Sequence, residues 1–276
     1  MLDYIKLLRP KHWIKNVFVL APLLFSEKLA DIDSIKLNLI CFIAFSLTSS
    51  SIYILNDIFD YKEDAKHFRK KTRPIASGNI SIVSAYIWMF CVAFVAGYTT
   101  YMIPDIAYII GLYVIINIAY NLGLKNIPVV DLFVIAGGFI LRTMAGAFAI
   151  NVSNSNWMLI TVFCLSLFLI TIKRRSELVL VGTKFRKSIE NYTLEFLDKM
   201  ISITATSTFV FYTMYVAINK KILAPTIPLV LFCIIRYMYL IQDKKGEDPS
   251  SDLFTDKFIL LSGFLWLLFT TYSLIL

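Results

Sequence analysis

Along this chain the apolar residues gather into nine long runs separated by short polar connections. The runs cover about 13–27, 35–57, 80–101, 105–122, 129–150, 156–174, 199–218, 224–242 and 257–276. Each is close to the roughly 20 residues that a helix needs to cross a bilayer. The first is short, and Pro22 interrupts it, which predicts a kinked or broken helix. No linker, low-complexity tract or soluble domain separates the runs. Residues 1–276 therefore read as a single integral membrane domain, all-α and polytopic. The residues show no obvious internal repeat, although the polar loops after the second and sixth runs are both strongly basic.

Composition supports this reading. Of 276 residues 58% are hydrophobic, with 22 Phe and 15 Tyr, and mean hydropathy is +0.71. A soluble domain of this length has no use for so much apolar surface. Cys41, Cys91, Cys164 and Cys233 lie one to a run, without a CxxC pair or a neighbouring His cluster, and read as small core residues. The N-terminal MLDYIKLLRPKHWIKN is basic and amphipathic and lacks a small-residue cleavage site, so the first membrane helix is expected to act as the insertion signal.

The net charge of +8 is first a matter of topology, and it does not call for a nucleic-acid partner. Alternate connections place the N-terminus, 58–79, 123–128, 175–198 and 243–256 on one side. With the adjoining helix ends that side carries 22 Lys and Arg, against four on the other (Lys28, Lys36, Lys220 and Lys221), with Arg142 left inside the fifth run. Positive charge stays inside, so the N-terminus and the polar loops are expected in the cytoplasm and the C-terminus on the far side. All the candidate chemistry falls on the same cytoplasmic face, which argues for a site opening there and against a pore lined through the membrane.

The most informative stretch is Ser50–Gly78, SSIYILNDIFDYKEDAKHFRKKTRPIASG. On a helix Asp57, Asp60 and Asp64 share one face, with Asn56 beside them and His67 extending the stripe. The same residues could be a solvated helix end. Attached to a membrane helix, where acidic groups are costly, they point to a site, and oxygen-only ligands at this density suit Mg²⁺. Lys70 and Arg73 follow in a basic loop. A second group is YNLGLKNIPVVD, with Tyr120, Lys125 and Asp131; a Gly-containing helix connection is by itself an ordinary turn. Arg142 lies roughly three turns into its helix. Unpaired it would cost at least about 2.5–3.5 kcal/mol, so it is expected to face the interior and meet an anion or the carboxylate stripe, snorkelling being the alternative. Lys173 and Arg174 end the sixth run, where juxtamembrane anchoring is the plain reading. In LRPKHWIKN, Arg9, Lys11 and Lys15 would face headgroups or substrate. Carboxylates for Mg²⁺ beside many cations suggest a diphosphate leaving group. There is no Ser/His/Asp set, P-loop or dinucleotide fingerprint.

These residues resemble the UbiA superfamily of membrane prenyltransferases. The resemblance implies nine transmembrane helices around a cytoplasm-facing cavity. The family's NDxxDxxxD motif stands here as Asn56, Asp57, Asp60 and Asp64, and its second acidic motif is reduced to Tyr120, Lys125 and Asp131. The blocks LRPKHWIKN, HFRKKTRPIASG, YNLGLKNIPVVD, GGFILRTMAGA, IKRRSEL and KGEDPSSDLFTDKFIL are similar to those of the decaprenyl-phosphate phosphoribosyltransferase subfamily, with Phe68 where that subfamily usually has Pro.

That resemblance implies a magnesium-dependent transfer of the 5-phosphoribosyl group from 5-phosphoribosyl diphosphate to a polyprenyl phosphate, in a bacterial-type cell membrane. Asp57, Asp60 and Asp64 would hold the metal, and Asp131 would join them as a catalytic carboxylate, with or without direct contact to the ion. Lys15, Asn56, His67, Lys70, Arg73, Tyr120, Lys125, Arg142, Lys173 and Arg174 would contact substrate. Two alternatives stand beside it. One is a prenyltransferase moving an isoprenoid from its diphosphate to an aromatic or quinone precursor. The other is a transporter of a lipid-linked or anionic solute, which mid-membrane broken helices in inverted repeats would favour.

Overall fold

A computed structural model describes residues 2–26, 28–66, 70–181, 192–243 and 255–275. Among the described residues all regular structure is helical. Helix α1 (Leu2–Leu8) leads into a 3-10 helix, Pro10–Val19, and a five-residue helix α2 (Ala21–Phe25). Then follow α3 (Ile32–Lys66), α4 (Ile82–Tyr101), α5 (Ala107–Leu122), α6 (Val130–Ala149), α7 (Asn156–Val181), α8 (Leu194–Asn219), α9 (Ile227–Asp243) and α10 (Lys257–Ile275). Among the described residues eight helices are long and apolar enough to cross a membrane. They answer to the second through ninth apolar runs, and the protein is an integral membrane protein.

The first run is the broken one. Its 3-10 helix of ten residues is long for that geometry, and side-chain bonds to α3 secure it. Trp13 Nε1 donates to Ser50 Oγ at 3.0 Å, and Asn16 Nδ2 donates to Ser46 Oγ at 3.0 Å and Ser49 Oγ at 3.3 Å. The serine run of α3 is thus an acceptor strip for the segment beside it.

Helix α3 is the longest element. Its 35 residues at 1.5 Å each run about 50 Å, against a hydrocarbon core of about 30 Å. The run expected to stop near residue 57 therefore continues as helix to Lys66 and carries the acidic stripe beyond the apolar stretch. Helix α7 likewise continues past residue 174, where Arg174 pairs with Glu177 one turn on; spacing of three along a helix brings such charges together.

The chain forms two compact units: Met1–Leu124 with Leu141–Ser153, and Lys125–Ile140 with Asn154–Leu276. In the first, Phe45 of α3 packs with Ile106, Ile109 and Tyr113 and with Leu141 and Ala145 of α6. Here Asn38 Nδ2 donates to the carbonyls of Val19 (3.2 Å) and Gly146 (3.1 Å), and a Cβ at Gly146 would overlap the Val19 carbonyl. Only glycine admits that approach. In the second unit Phe168 and Ile172 of α7 pack with Ile201 and Ala205 of α8, Tyr237 and Ile241 of α9, and Ile259 of α10.

Candidate active site

In the first unit the acidic stripe closes around guanidinium groups. Asp57 is 3% exposed and Asp64 is buried with it. One nitrogen, Nη1 of Arg73, donates to Asp57 Oδ1 at 2.9 Å and to Asp64 Oδ2 at 2.5 Å. Arg9 Nη2 donates to the same Asp57 oxygen, and Lys70 Nζ lies 3.7 Å from Asp64 Oδ1. Two carboxylates seven residues apart thus converge on one cation, as the helical spacing predicts. Arg9 holds left-handed backbone, φ 52°, at the joint between α1 and the 3-10 helix, and its guanidinium sits 5.2 Å from the Tyr53 ring centroid. Burial pulls its pKa below the ordinary value, and the Asp57 charge opposes that pull.

Asp60 and Asn56 are half-buried on the same helix, and Lys15 and Tyr120 are half-buried elsewhere in this unit. His67 lies outside the described residues. Arg142 is buried as expected, 4% exposed. Its Nε donates to Asn16 Oδ1 at 2.7 Å and its Nη2 to the Tyr113 hydroxyl at 2.8 Å. The rings of Tyr113 and Phe45 lie 4.8 and 5.4 Å from its guanidinium carbon. The side chain turns inward because hydroxyl, amide and π-faces receive it there.

The second unit holds the other candidates. Asp131 has no exposed surface, and Arg174 is 3% exposed. Arg174 Nε donates to Asp131 Oδ2 at 3.0 Å, and its Nη1 donates to Glu177 Oε2 at 2.6 Å. Asp131 Oδ1 accepts from the Tyr192 hydroxyl at 2.9 Å. Tyr192 itself accepts from the Val129 N–H at 2.5 Å; burial pushes its pKa up to about 12, and the nearby Asp131 charge adds to the rise. Lys173 is exposed and Lys125 half-buried.

Local sequence explains the arrangement. Val130 N–H bonds back to Pro128 O at 2.8 Å, a γ-turn centred on Val129 at φ 69°. For a β-branched residue that is an outlier, and such backbone is strained by an order of 1–3 kcal/mol. The turn opens α6 with Asp131 in its first helical turn. Thr193 caps α8, its Oγ1 accepting from Phe196 N–H at 3.1 Å. Tyr192 stacks on Phe196, ring centroids 5.9 Å apart, much as a residue before a cap packs on the first turn.

Sequence reasoning had named Arg9 as facing headgroups or substrate and had not paired it with Asp57. It missed Asn16 and Tyr113 around Arg142, and it missed Tyr192. The Tyr192-Thr193 pair ahead of an apolar run was the available signal, a capping residue with a bulky neighbour.

The donor set can be tested against Mg²⁺. Among the described residues no three His, Cys, Asp or Glu side chains gather so as to hold a metal ion. Mg²⁺ ordinarily takes one or two carboxylates and completes its shell with water and substrate phosphates. Asp57 and Asp64, already converging on one positive nitrogen, supply that number of hard oxygen donors. The residues fit the ion.

Fold and site together define a polytopic helical membrane protein whose buried carboxylates are held by arginines. Residues 17–268 match the UbiA prenyltransferase family, and the chain belongs to that family. It is 31% identical over 277 residues to the decaprenyl-phosphate phosphoribosyltransferase of Corynebacterium glutamicum, covering 95% of this chain and 83% of the relative. The protein so named in Mycolicibacterium smegmatis is 34% identical, covering 76% of this chain and 69% of its own length. Among solved structures, a UbiA homolog from Archaeoglobus fulgidus bound to GPP and Mg²⁺ superposes with a TM-score of 0.74 at 18% identity, covering 99% of each chain. That likeness is one of fold.

Proposed function

We propose that this protein transfers the 5-phosphoribosyl group of 5-phosphoribosyl diphosphate to a polyprenyl phosphate and releases pyrophosphate. The observation that carries the substrate assignment is the similarity, over 95% of the chain, to a relative named for that transfer. The chemistry of the candidate residues agrees with it. Both substrates are anionic, and the protein offers buried or half-buried cations at Arg9, Lys70, Arg73, Lys125, Arg142 and Arg174.

Asp57 and Asp64, which converge on Arg73, are assigned to holding Mg²⁺, with Asp60 beside them on the same helix. A bound Mg²⁺ would neutralise charge that develops on the departing pyrophosphate. Lys70 and Arg73, with Arg9 beside them, are assigned to phosphate oxygens of the donor. Lys15, Asn56, His67, Tyr120, Lys125, Arg142, Lys173 and Arg174 are assigned to substrate contacts. Asp131, both of whose oxygens accept hydrogen bonds, serves by holding Arg174. The bond from the anomeric carbon to the diphosphate breaks, and its electron pair leaves with pyrophosphate. A bond forms from that carbon to an oxygen of the lipid phosphate. The nucleophile is already an anion and needs no general base, so positioning and charge stabilisation supply most of the rate. The N-terminus and these residues are assigned to the cytoplasmic face, on the strength of the 22-to-4 charge asymmetry.

The test uses purified protein in detergent with Mg²⁺, donor labelled in the ribose and a polyprenyl phosphate. Label entering the organic phase, abolished by EDTA, is the expected result. Folded protein that leaves the label in water would overturn the substrate assignment and turn attention to prenyl diphosphates and aromatic acceptors.

A further inference from the structure

Tyr192 stands outside every motif that marked the site, yet its hydroxyl sits at the junction of two elements. It is buried, and its bonds have a fixed sense. The Val129 N–H can only donate, so the phenol oxygen accepts there at 2.5 Å. The phenol proton is then directed to Asp131 Oδ1 at 2.9 Å. The second Asp131 oxygen takes Nε of Arg174, whose Nη1 is held by Glu177. A guanidinium gripped at Nε and Nη1 cannot swivel about its own plane, and its remaining direction is set. The chain of bonds runs from the strained turn at Val129 through Tyr192 and Asp131 to Arg174. Backbone strain persists only where surroundings over-determine it, and it concentrates at functional positions.

We propose that Tyr192 is a positioning residue: its hydroxyl orients Asp131 and, through it, the Arg174 guanidinium for contact with a substrate phosphate. The inference rests on the proposed function for the identity of that phosphate, taken here as part of the sugar diphosphate donor. Tyr192 itself touches no reacting atom. It replaces the mobility of a long arginine with one preset geometry, a contribution to binding through preorganisation.

The experiment compares wild type, Tyr192→Phe, Asp131→Asn and the double variant. The full-length proteins are assayed in detergent with Mg²⁺, 5-phosphoribosyl diphosphate and a polyprenyl phosphate. Affinity for inorganic pyrophosphate with Mg²⁺ is measured calorimetrically, with no turnover required. Tyr192→Phe is expected to raise the KM for the donor and weaken pyrophosphate binding by about tenfold, about 1.4 kcal/mol. The KM for the lipid acceptor and the thermal midpoint should hold. In the Asp131→Asn background the same substitution should add nothing, because both act through Arg174. Unchanged donor KM and pyrophosphate affinity in Tyr192→Phe would overturn the inference. So would equal losses for both substrates with a lowered midpoint, the mark of a merely structural tyrosine, or effects that add in the double variant. Should Tyr192→Phe not fold, wild-type affinity in Asp131→Asn would overturn it equally. A wild type that binds pyrophosphate but transfers no phosphoribosyl group would defeat the substrate reading alone, and the binding data would still decide the role of Tyr192. A wild type that binds no pyrophosphate would overturn both.

Discussion

Removing Arg73 tests whether the carboxylate pair is a metal site, and it does so without any assay of turnover. Arg73 Nη1 lies 2.9 Å from Asp57 Oδ1 and 2.5 Å from Asp64 Oδ2. At an effective dielectric of 20 each contact has a gross Coulomb energy of about 6 kcal/mol, before desolvation is subtracted. Breaking a buried pair by deleting one partner typically costs about 3–5 kcal/mol net. Here Arg73 is 24% exposed, and each carboxylate keeps a second cation, Arg9 for Asp57 and Lys70 for Asp64. Arg73→Ala should therefore destabilise by the low end of that range, about 3 kcal/mol. For a chain of this size that corresponds to a fall of roughly 6–12 °C in thermal midpoint. Added Mg²⁺ should then restore more stability to the variant than it adds to wild type, since in the variant the ion does not displace a guanidinium. At a hundred times its Kd a ligand contributes about 2.7 kcal/mol. The assay is thermal denaturation in detergent with and without Mg²⁺, ionic strength being matched with a monovalent salt. A Mg²⁺ shift in Arg73→Ala no greater than in wild type would refute the metal assignment.

Asp57→Asn should abolish transfer and leave the protein folded; retained turnover by labelled-ribose assay would defeat its metal role. Gly146→Ala should lower the thermal midpoint, because the new methyl meets the Val19 backbone oxygen and not a yielding side chain. Overpacking of this kind costs about 1–3 kcal/mol, and a midpoint equal to wild type would show that the 3-10 segment can shift freely. For topology, Ser77→Cys and Ser153→Cys can each be placed in a cysteine-free background, both positions being exposed. A membrane-impermeant maleimide should label S77C in inverted vesicles and S153C in right-side-out ones. The reverse pattern would invert the assigned orientation.

The fold was legible because a bilayer leaves few solutions. With no water to satisfy backbone groups, each apolar run of about 20 residues must be a helix. The breaks were less legible. Pro22 predicted an interruption in the first run, and the segment is indeed broken. Its geometry, however, comes from Trp13 and Asn16 meeting serines 30 to 37 residues away, a pairing that no local pattern encodes. The same limit explains the site. Asp57 and Asp64 were found because one helix places them on one face. Arg73 was a nearby candidate from the same stretch. Arg9 could be named only as a cation facing headgroups or substrate, because its pairing with Asp57 crosses 48 residues of chain.

The two acidic clusters then differ in a way that sequence alone obscures. Asp57 and Asp131 are both buried carboxylates beside arginine, and counting charges treats them alike. Asp57 shares its guanidinium with a second carboxylate, so a divalent ion could replace that guanidinium and find two donors. Asp131 has one oxygen committed to Arg174 and the other to a tyrosine that is itself pinned by Val129. Moving Asp131 onto a metal would leave a buried guanidinium and a buried phenol short of an acceptor, a penalty of about 1–3 kcal/mol for each group and more for the charged one. The first arrangement suits exchange of one cation for another, and the second suits holding one cation still. We propose that the two clusters divide the work in this way, with metal binding at Asp57 and Asp64 and arginine placement at Asp131.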